Sequence, residues 1–350
     1  NLALAGSAGN HFGELPATLA GSVFLDAANN GTRDGADTGL AGVVLTLSGT
    51  DIAGNTISRG ATTDAAGNFF FNDLPAANAG GYTVTEQSAQ PVVTIAGNAV
   101  TTLNGITTRG SIAAVGTGTA TGVNAAPSAV SAITLGAGAQ SIGNLFAEIA
   151  PVALSGRVFI DANNNGAVDP PLDAGISGVS IVVTGTDDTG AAVSRTLTTD
   201  ANGNFAVADL RPGTYTVTEP AQPAGTSNGR TTPGTGGGTG TPITTVPSAI
   251  AGIVLTTPGA ASSNNLFGEI PTNSSISGRV FADASNDGLF NGSESGLGGV
   301  TIELTGTDLA GQTVTRSTTS NADGTYTFAN LPPGSFTVTE PTQPAGTVNG

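Results

Sequence analysis

The sequence has no cysteine, no lysine, no tryptophan and no methionine, and one histidine. Without cysteine there is no disulfide framework, no thiolate metal site and no cysteine nucleophile. His11 alone cannot form a histidine cluster for zinc or iron within one chain; set in Asn10-His11-Phe12-Gly13-Glu14, it reads as an ordinary strand residue. A serine hydrolase needs a base beside its nucleophile, and with no lysine and a single histidine the chain offers no convincing partner for one. The nine basic residues are all arginines, scattered singly against twenty-five carboxylates, for a net charge of −16. Phosphate backbones require clustered cations, so nucleic acid is excluded as a partner, while the acidic excess suits divalent cations. No apolar run approaches the ~18 residues of a membrane span, and no basic-plus-apolar signal peptide is present. Asn1 is not an initiator residue, so the expectation is a processed chain or an excerpt.

What remains is rich in Gly, Ala, Thr, Ser and Val, with apolar positions at regular spacing, as in a secreted all-β protein. The stretch Gly156-Arg157-Val158-Phe159-Ile160-Asp161-Ala162-Asn163-Asn164-Asn165-Gly166 is a short apolar strand running into a loop dense with oxygen donors, and relatives follow Gly-x-Val-Phe at Asp26 and Asp283. The three Asp markers lie 135 and 122 residues apart, a domain-sized period. Each unit continues in one order. An alternating strand follows the loop, clearest at Val300-Thr301-Ile302-Glu303-Leu304-Thr305. Asx-started turns at Asp51, Asp187 and Asp308 come next, each with Gly three residues on, then a Thr-rich strand and a second Asp/Asn-Gly turn. An aromatic strand then leads through a Leu/Pro turn to Tyr82–Glu86, Tyr215–Glu219 or Phe336–Glu340.

Short strands separated by Gly/Asp/Asn turns predict tandem immunoglobulin-like antiparallel β-sandwich domains, all-β with almost no helix. The expected units are 17–149, 150–270 and 271–350, the last lacking its closing strands; residues 1–16 read as closing strands of a preceding unit or as a donor strand. Val92–Ile95 predicts an extra hairpin in the first unit, whereas Thr226–Thr245 lacks an apolar period and reads as a Gly/Thr/Pro-rich loop, its Gly234–Gly240 lacking the Lys-Ser/Thr of a phosphate loop. Brief proline-bearing junctions favour a semi-rigid string of domains.

The repeated loop follows calcium-loop spacing: oxygen donors at positions 1, 3, 5, 9 and 12, a backbone carbonyl at 7 and Gly at 6. The third copy supplies Asp283, Ser285, Asp287, Leu289 (carbonyl), Asn291 and Glu294. The second supplies Asp161, Asn163, Asn165, Ala167 (carbonyl) and Asp169, with Asp173 one residue late because Pro170-Pro171-Leu172 lengthens the loop. The first supplies Asp26, Asn30, Thr32 (carbonyl), Asp34 and Asp37 but has Ala28 at position 3, and should bind most weakly. Asn-Gly and Asp-Gly pairs are good turn formers in their own right. A turn alone explains those pairs but not carboxylates returning at positions 1, 9 and 12.

The ordered motifs over Leu19–Glu86, Leu154–Glu219 and Ile276–Glu340 resemble the SdrD B-like repeats of bacterial surface proteins, relatives of the collagen-adhesin B-type domains. The resemblance implies calcium-stabilised immunoglobulin-like sandwiches in stalks or adhesins, with the loop residues above as Ca²⁺ ligands. Many collagen-adhesin B-type domains carry an internal Lys–Asn or Lys–Asp isopeptide bond promoted by a Glu at the position of Glu86, Glu219 and Glu340. With no lysine that bond cannot form, and these glutamates are expected to be solvated strand ends, or else partners of backbone donors or metal. Carboxylates are frequent enough to pair as in glycoside hydrolysis, but their concentration in turns fits ion binding or solvation better.

The expected function is structural and not enzymatic: an extracellular stalk or filament subunit at a cell surface or appendage, its partners neighbouring copies or further repeats. The alternative is an adhesin or carbohydrate-binding module for a host or surface ligand, disfavoured because aromatics are only 5% of the chain and two of its three tyrosines point inward. The ends bear on assembly: either the chain is a window on a longer array, or residues 1–16 of one molecule fill the third unit of the next, head to tail.

Overall fold

The computed structural model describes residues 15–95, 97–113, 115–243 and 245–348. Among these no residue is helical. Two compact units divide the chain: residues up to Val152 with 209–212 and 256–260, and residues 153–208, 213–255 and 261 onward.

The first sandwich has one sheet in which Asn68–Leu74, Ala17–Leu25, Gln140–Ile149 and Leu103–Thr108 lie side by side, and a second in which Thr56–Thr62, Val44–Asp51, Ala77–Glu86, Ala129–Ile133 and Thr119–Ala120 do. The second sandwich repeats both orders: Asn204–Leu210, Val152–Ile160, Ala261–Pro271 and Thr226–Thr232 in one sheet; Ala192–Thr198, Ser180–Asp187, Gly213–Glu219, Ser248–Leu255 and Thr239–Gly240 in the other. In the third, Ser274–Arg279 pairs with Thr325–Leu331, and Thr313–Thr319, Thr301–Asp308 and Gly334–Thr339 form the facing sheet.

Alternation sends every second residue inward. In the first sandwich Leu45, Leu47, Tyr82, Val84, Val130 and Ile133 of one sheet meet Leu19, Val23, Phe69, Phe71 and Phe146 of the other. Ile181, Val183, Tyr215, Val217, Ile250, Ile253, Val158, Phe205 and Phe267 are the buried equivalents in the second. The third buries a smaller cluster: Val300, Ile302, Leu304, Val314, Phe328 and Leu331.

Among the described residues the pairing is antiparallel with one exception in each of the first two sandwiches: the opening strand runs parallel to the closing strand, with Val23 opposite Phe146 and Val158 opposite Phe267. This approach requires the glycine of the Gly-x-Val-Phe motif. A Cβ on Gly21 would lie 2.0 Å from the Asn144 carbonyl oxygen and 2.5 Å from the Phe69 ring, and one on Gly156 would lie 2.0 Å from the Asn265 carbonyl oxygen and 2.4 Å from Phe205.

The extra hairpin of the first unit is present as Val92–Ile95 with Asn98–Thr101. The stretch Thr226–Thr245 departs from expectation: Thr226–Thr232 is a strand on the closing strand Ala261–Pro271, and Thr239–Gly240 edges the facing sheet. Its buried residues, Asn228 and Gly229, are polar or small, so pairing leaves no apolar period to read. Expectations for residues 1–16, His11 included, fall outside the described residues apart from Leu15 and Pro16.

Candidate metal loops and buried carboxyl pairs

Each oxygen-rich loop leaves the end of an opening strand and turns sharply through two left-handed residues, the fourth and the sixth. The fourth is Asn29, Asn164 or Asn286, and the sixth is Gly31, Gly166 or Gly288, with φ of 69°, 77° and 72°. One pattern of hydrogen bonds closes all three loops. The first Asp accepts the N–H of the sixth residue: Gly31 to Asp26 at 2.7 Å, Gly166 to Asp161 at 2.8 Å and Gly288 to Asp283 at 2.8 Å. The last carboxylate accepts the N–H groups of the second and ninth residues. For Asp37 these are Ala27 at 3.0 Å and Asp34 at 2.9 Å; for Glu294, Ala284 and Asn291, both at 3.0 Å. Asp173 takes the same role from one residue later, with Ala162 at 3.5 Å and Asp169 at 2.8 Å, so the lengthened loop closes as the others do.

The intermediate donors are tied within the loop. In the second copy the Asn163 and Asn165 side-chain amides both donate to the same Asp169 oxygen, at 3.3 and 2.6 Å, while Ala167 N–H donates to Asn165 Oδ1 at 2.8 Å. In the first, Thr32 N–H donates to Asn30 Oδ1 at 2.8 Å; in the third, Leu289 N–H donates to Asp287 at 2.8 Å and Ser285 Oγ to Asp283 at 3.4 Å. Among the described residues no three His, Cys, Asp or Glu side chains converge as a metal cluster.

Burial separates the copies. Asp26 and Asp161 are fully buried, beneath strands whose threonines clamp the loop: Thr108 Oγ1 donates to Gly31 O at 3.0 Å and Thr232 Oγ1 to Gly166 O at 2.9 Å. The third loop has no such cover among the described residues, and Asp283 is only half-buried. Asp161 and Asp283 therefore titrate in opposite directions. Desolvation raises Asp161 against the pull of the Gly166 and Asn165 N–H groups, with the Asp173 charge adding to the rise. The Gly288 N–H bond instead holds Asp283 below the usual carboxylate range.

Glu86 and Glu219 are not solvated strand ends. Both are 2% exposed, on the inward face with Tyr82 and Val84 or Tyr215 and Val217, and each is set against a fully buried glutamate of the closing strand, Glu148 or Glu269. Ser128 and Thr102 hydroxyls donate to Glu86 and Glu148, both at 2.6 Å. In the second sandwich Ser248 donates to Glu219 at 2.9 Å, Thr226 to Glu269 at 3.1 Å, the Gln222 amide also donates to Glu269, and the Glu219 and Glu269 carboxyls interact with each other. One oxygen of each of these four carboxyls, Oε1, is buried without a hydrogen-bond donor. Desolvation pushes Glu86 up to about 7. Desolvation and then the Glu86 charge push Glu148 up to about 8, and the same two causes, with Glu219 as neighbour, push Glu269 up to about 9. Desolvation raises Glu219 too.

The closing-strand residues escaped the sequence reading although a signal existed. Asn144, Phe146 and Glu148 alternate, as do Asn265, Phe267 and Glu269, so an inward Phe carries both polar neighbours inward. The two asparagines stitch the parallel pair: Asn144 Nδ2 donates to Ala20 O at 2.9 Å and Asn265 Nδ2 to Ser155 O at 2.8 Å.

The profile of the SdrD B-like domain matches residues 17–114, 152–262 and 274–349, the greater part of the chain. The chain belongs to the SdrD B-like domain family. Each matched segment of the family profile contains one opening strand and one oxygen-rich loop. Serine-aspartate repeat-containing protein D of Staphylococcus aureus strain Newman is 27% identical over 317 residues, covering 90% of this chain and 21% of that protein. Colossin-A of Dictyostelium discoideum is 27% identical over 337 residues, covering 93% of this chain and 2% of its own length. The chain thus spans about a fifth or less of the curated relatives it matches. Among solved structures, the Bacillus anthracis TIE protein aligns with a TM-score of 0.34 at 14% identity over 96% of this chain and 46% of its own. The major pilin subunit of Bacillus cereus aligns with a TM-score of 0.33 at 13% identity over 94% and 88%. Among the described residues no helix is long and apolar enough to cross a membrane.

Proposed function

We propose that this chain is a structural segment of a bacterial cell-surface or appendage protein: SdrD B-like sandwiches, each braced by one Ca²⁺, forming part of an extracellular stalk or filament and performing no catalysis. Membership of a repeat family supports the structural role. The observation that carries the metal reading is the shared loop closure, in which the first carboxylate sits on the N–H of the sixth residue and the last on the N–H groups of the second and ninth.

The donor set fits the ion. Every candidate group is an oxygen, as a hard cation wanting six to eight oxygens requires. In the second loop Asn163, Asn165 and Asp169 already meet at one carboxylate oxygen, so rotating the two amides would present three oxygens to one point. The holding residues would be Asp283, Ser285, Asp287, Leu289 O, Asn291 and Glu294 in the third loop and Asp161, Asn163, Asn165, Ala167 O, Asp169 and Asp173 in the second. In the first they would be Asp26, Asn30, Thr32 O, Asp34 and Asp37. The ion supplies charge neutralisation; the loop residues fasten the opening strand to the following segment. The test is chelation: the melting temperature falls and recovers on adding Ca²⁺. Native protein free of calcium by metal analysis, with stability unmoved by chelator, would end this reading.

A second observation bears on assembly. In the third sandwich, open grooves of about 320 and 340 Å³ share Val280, Phe281, Asp283 and Glu340, and Glu340 Oε1 is buried without a partner. Glu340 is the counterpart of Glu86 and Glu219, whose partners come from closing strands. The sequence Asn-x-Phe-Gly-Glu-Ile/Leu-Pro occurs at Asn265–Pro271 and again at Asn10–Pro16, and in the second sandwich its strand lies beside the opening strand and sets Glu269 against Glu219. We assign the third sandwich that strand, supplied along the array or by a neighbouring copy head to tail.

A further inference from the structure

The fourth residue of each loop lies outside the donor positions, yet it is asparagine in all three copies. Its left-handed backbone, φ of 53° at Asn29, 54° at Asn164 and 53° at Asn286, already favours that residue type. In the second loop the side chain does more. Asn164 is 7% exposed, and three hydrogen bonds tie it to residues outside the loop. Oδ1 accepts the Arg230 backbone N–H at 3.1 Å, the backbone oxygen accepts Arg230 Nε at 3.0 Å, and Nδ2 donates to Leu309 O at 3.0 Å. Arg230 belongs to Thr226–Thr232 of the same sandwich, whereas Leu309 lies in the turn between Thr301–Asp308 and Thr313–Thr319 of the third. That turn is itself braced. Leu309 N–H donates to Pro333 O at 3.0 Å, and Gln312 N–H donates to the Asp308 carboxylate at 2.8 Å. The Leu309 carbonyl is therefore a fixed acceptor.

Asn163 and Asn165, on either side of this asparagine, are both donors in the calcium reading, on which this inference rests. An ion drawing their oxygens together fixes the peptide units flanking Asn164 and hence the direction of its carboxamide. We propose that the second loop is a clasp: metal bound there holds Asn164 against Leu309 and stiffens the junction between the second and third repeats. Coupling of this kind is reciprocal, so the contact with Leu309 in turn favours the ion.

Two substitutions in the full chain separate the parts. Asn164→Gly keeps the left-handed backbone and removes the carboxamide. Asn164→Asp keeps the acceptor for Arg230 but replaces the donor to Leu309 with a repelling oxygen. Because the chain has no cysteine, Ser194→Cys with Ser317→Cys, both exposed strand positions, places one spin label on each sandwich. The expected result is a distance distribution that narrows when Ca²⁺ is added to the otherwise unaltered chain and loses that narrowing in both Asn164 variants. Titration calorimetry still finds calcium bound by the variants, with second-loop affinity down by about 5-fold or more in Asn164→Gly. Calcium bound without narrowing in the unaltered chain, or narrowing that survives both substitutions, overturns the clasp and leaves the metal reading standing. Absence of any bound calcium removes both.

Discussion

At the scale of single residues, the two glutamate pairs set a sign. Their ordinary value is 4.5, and in the folded chain Glu86, Glu148 and Glu269 are raised to about 7, 8 and 9. Above pH 4.5 the folded state therefore holds protons that the unfolded state has released. The stabilisation is fully present below that pH and is lost as pH rises through 7 to 9. Asp51, Asp64 and Asp200 act oppositely: turn N–H groups and neighbouring amides hold them below 3.8, so their contribution is lost only in stronger acid. At saturating Ca²⁺ the melting temperature should fall between pH 5 and pH 9. Glu148→Gln keeps the shape and removes the charge, so it should flatten the fall for the first sandwich, an effect on the order of 2 kcal/mol at pH 9. Thermal melts at stepped pH check this, and a melting temperature that rises across the window contradicts the pairing. Gly156 sets a steric limit of a different kind. Gly156→Ala drives a Cβ into the Asn265 carbonyl and the Phe205 ring and should cost about 3 kcal/mol, read by chemical denaturation.

At the scale of the element, sequence and structure rank the loops differently. Ligand identity alone favours Asp283–Glu294, whereas cover favours Asp161–Asp173, whose first carboxylate is buried and whose Gly166 carbonyl is clamped by Thr232. Attraction between ion and carboxylate grows as water is excluded, so the second loop should bind Ca²⁺ more tightly than the third despite its lengthened spacing. Calorimetric titration of Asp161→Asn beside Asp283→Asn checks it: losing the tighter class of sites in the second variant instead of the first reverses the ranking. Asp161→Ala also orphans the Gly166 and Asn165 N–H groups and should destabilise the second sandwich by about 2 kcal/mol even in chelator. The loops and most strands were legible in sequence because their determinants are local: alternation of period two, Asx turns and a left-handed glycine. Thr226–Thr232 was not, since it pairs through backbone groups while burying Asn228 and Gly229. Nor was the environment of Glu219, because Glu269 reaches it from the opposite sheet and only the assembled sandwich brings the two together.

At the scale of the whole molecule, the three repeats are unequal. The first two close each opening strand on both edges, with a neighbour from the aromatic strand and a parallel closing strand. Among the described residues Ser274–Arg279 has only Thr325–Leu331 beside it, and the smaller third core leaves Glu340 Oε1 buried and alone. A sandwich with an open edge and a short core has less apolar burial to set against chain entropy, so it should open before its neighbours. Hydrogen exchange is then expected to release the Ile302 and Leu304 amides well before those of Ile181 and Val183. A synthetic peptide with the sequence of Ala261–Pro271 should slow the third-repeat amides selectively by supplying the parallel strand and a partner for Glu340. The same peptide with its glutamate changed to lysine would test what the groove selects. A buried ammonium beside Glu340 makes an ion pair, whereas a carboxyl sets a second acidic group against it. The lysine peptide should therefore protect the third-repeat amides more strongly than the native peptide does. Equal exchange in all three repeats, or a peptide that slows none of them, removes strand addition as the means by which this sandwich is completed.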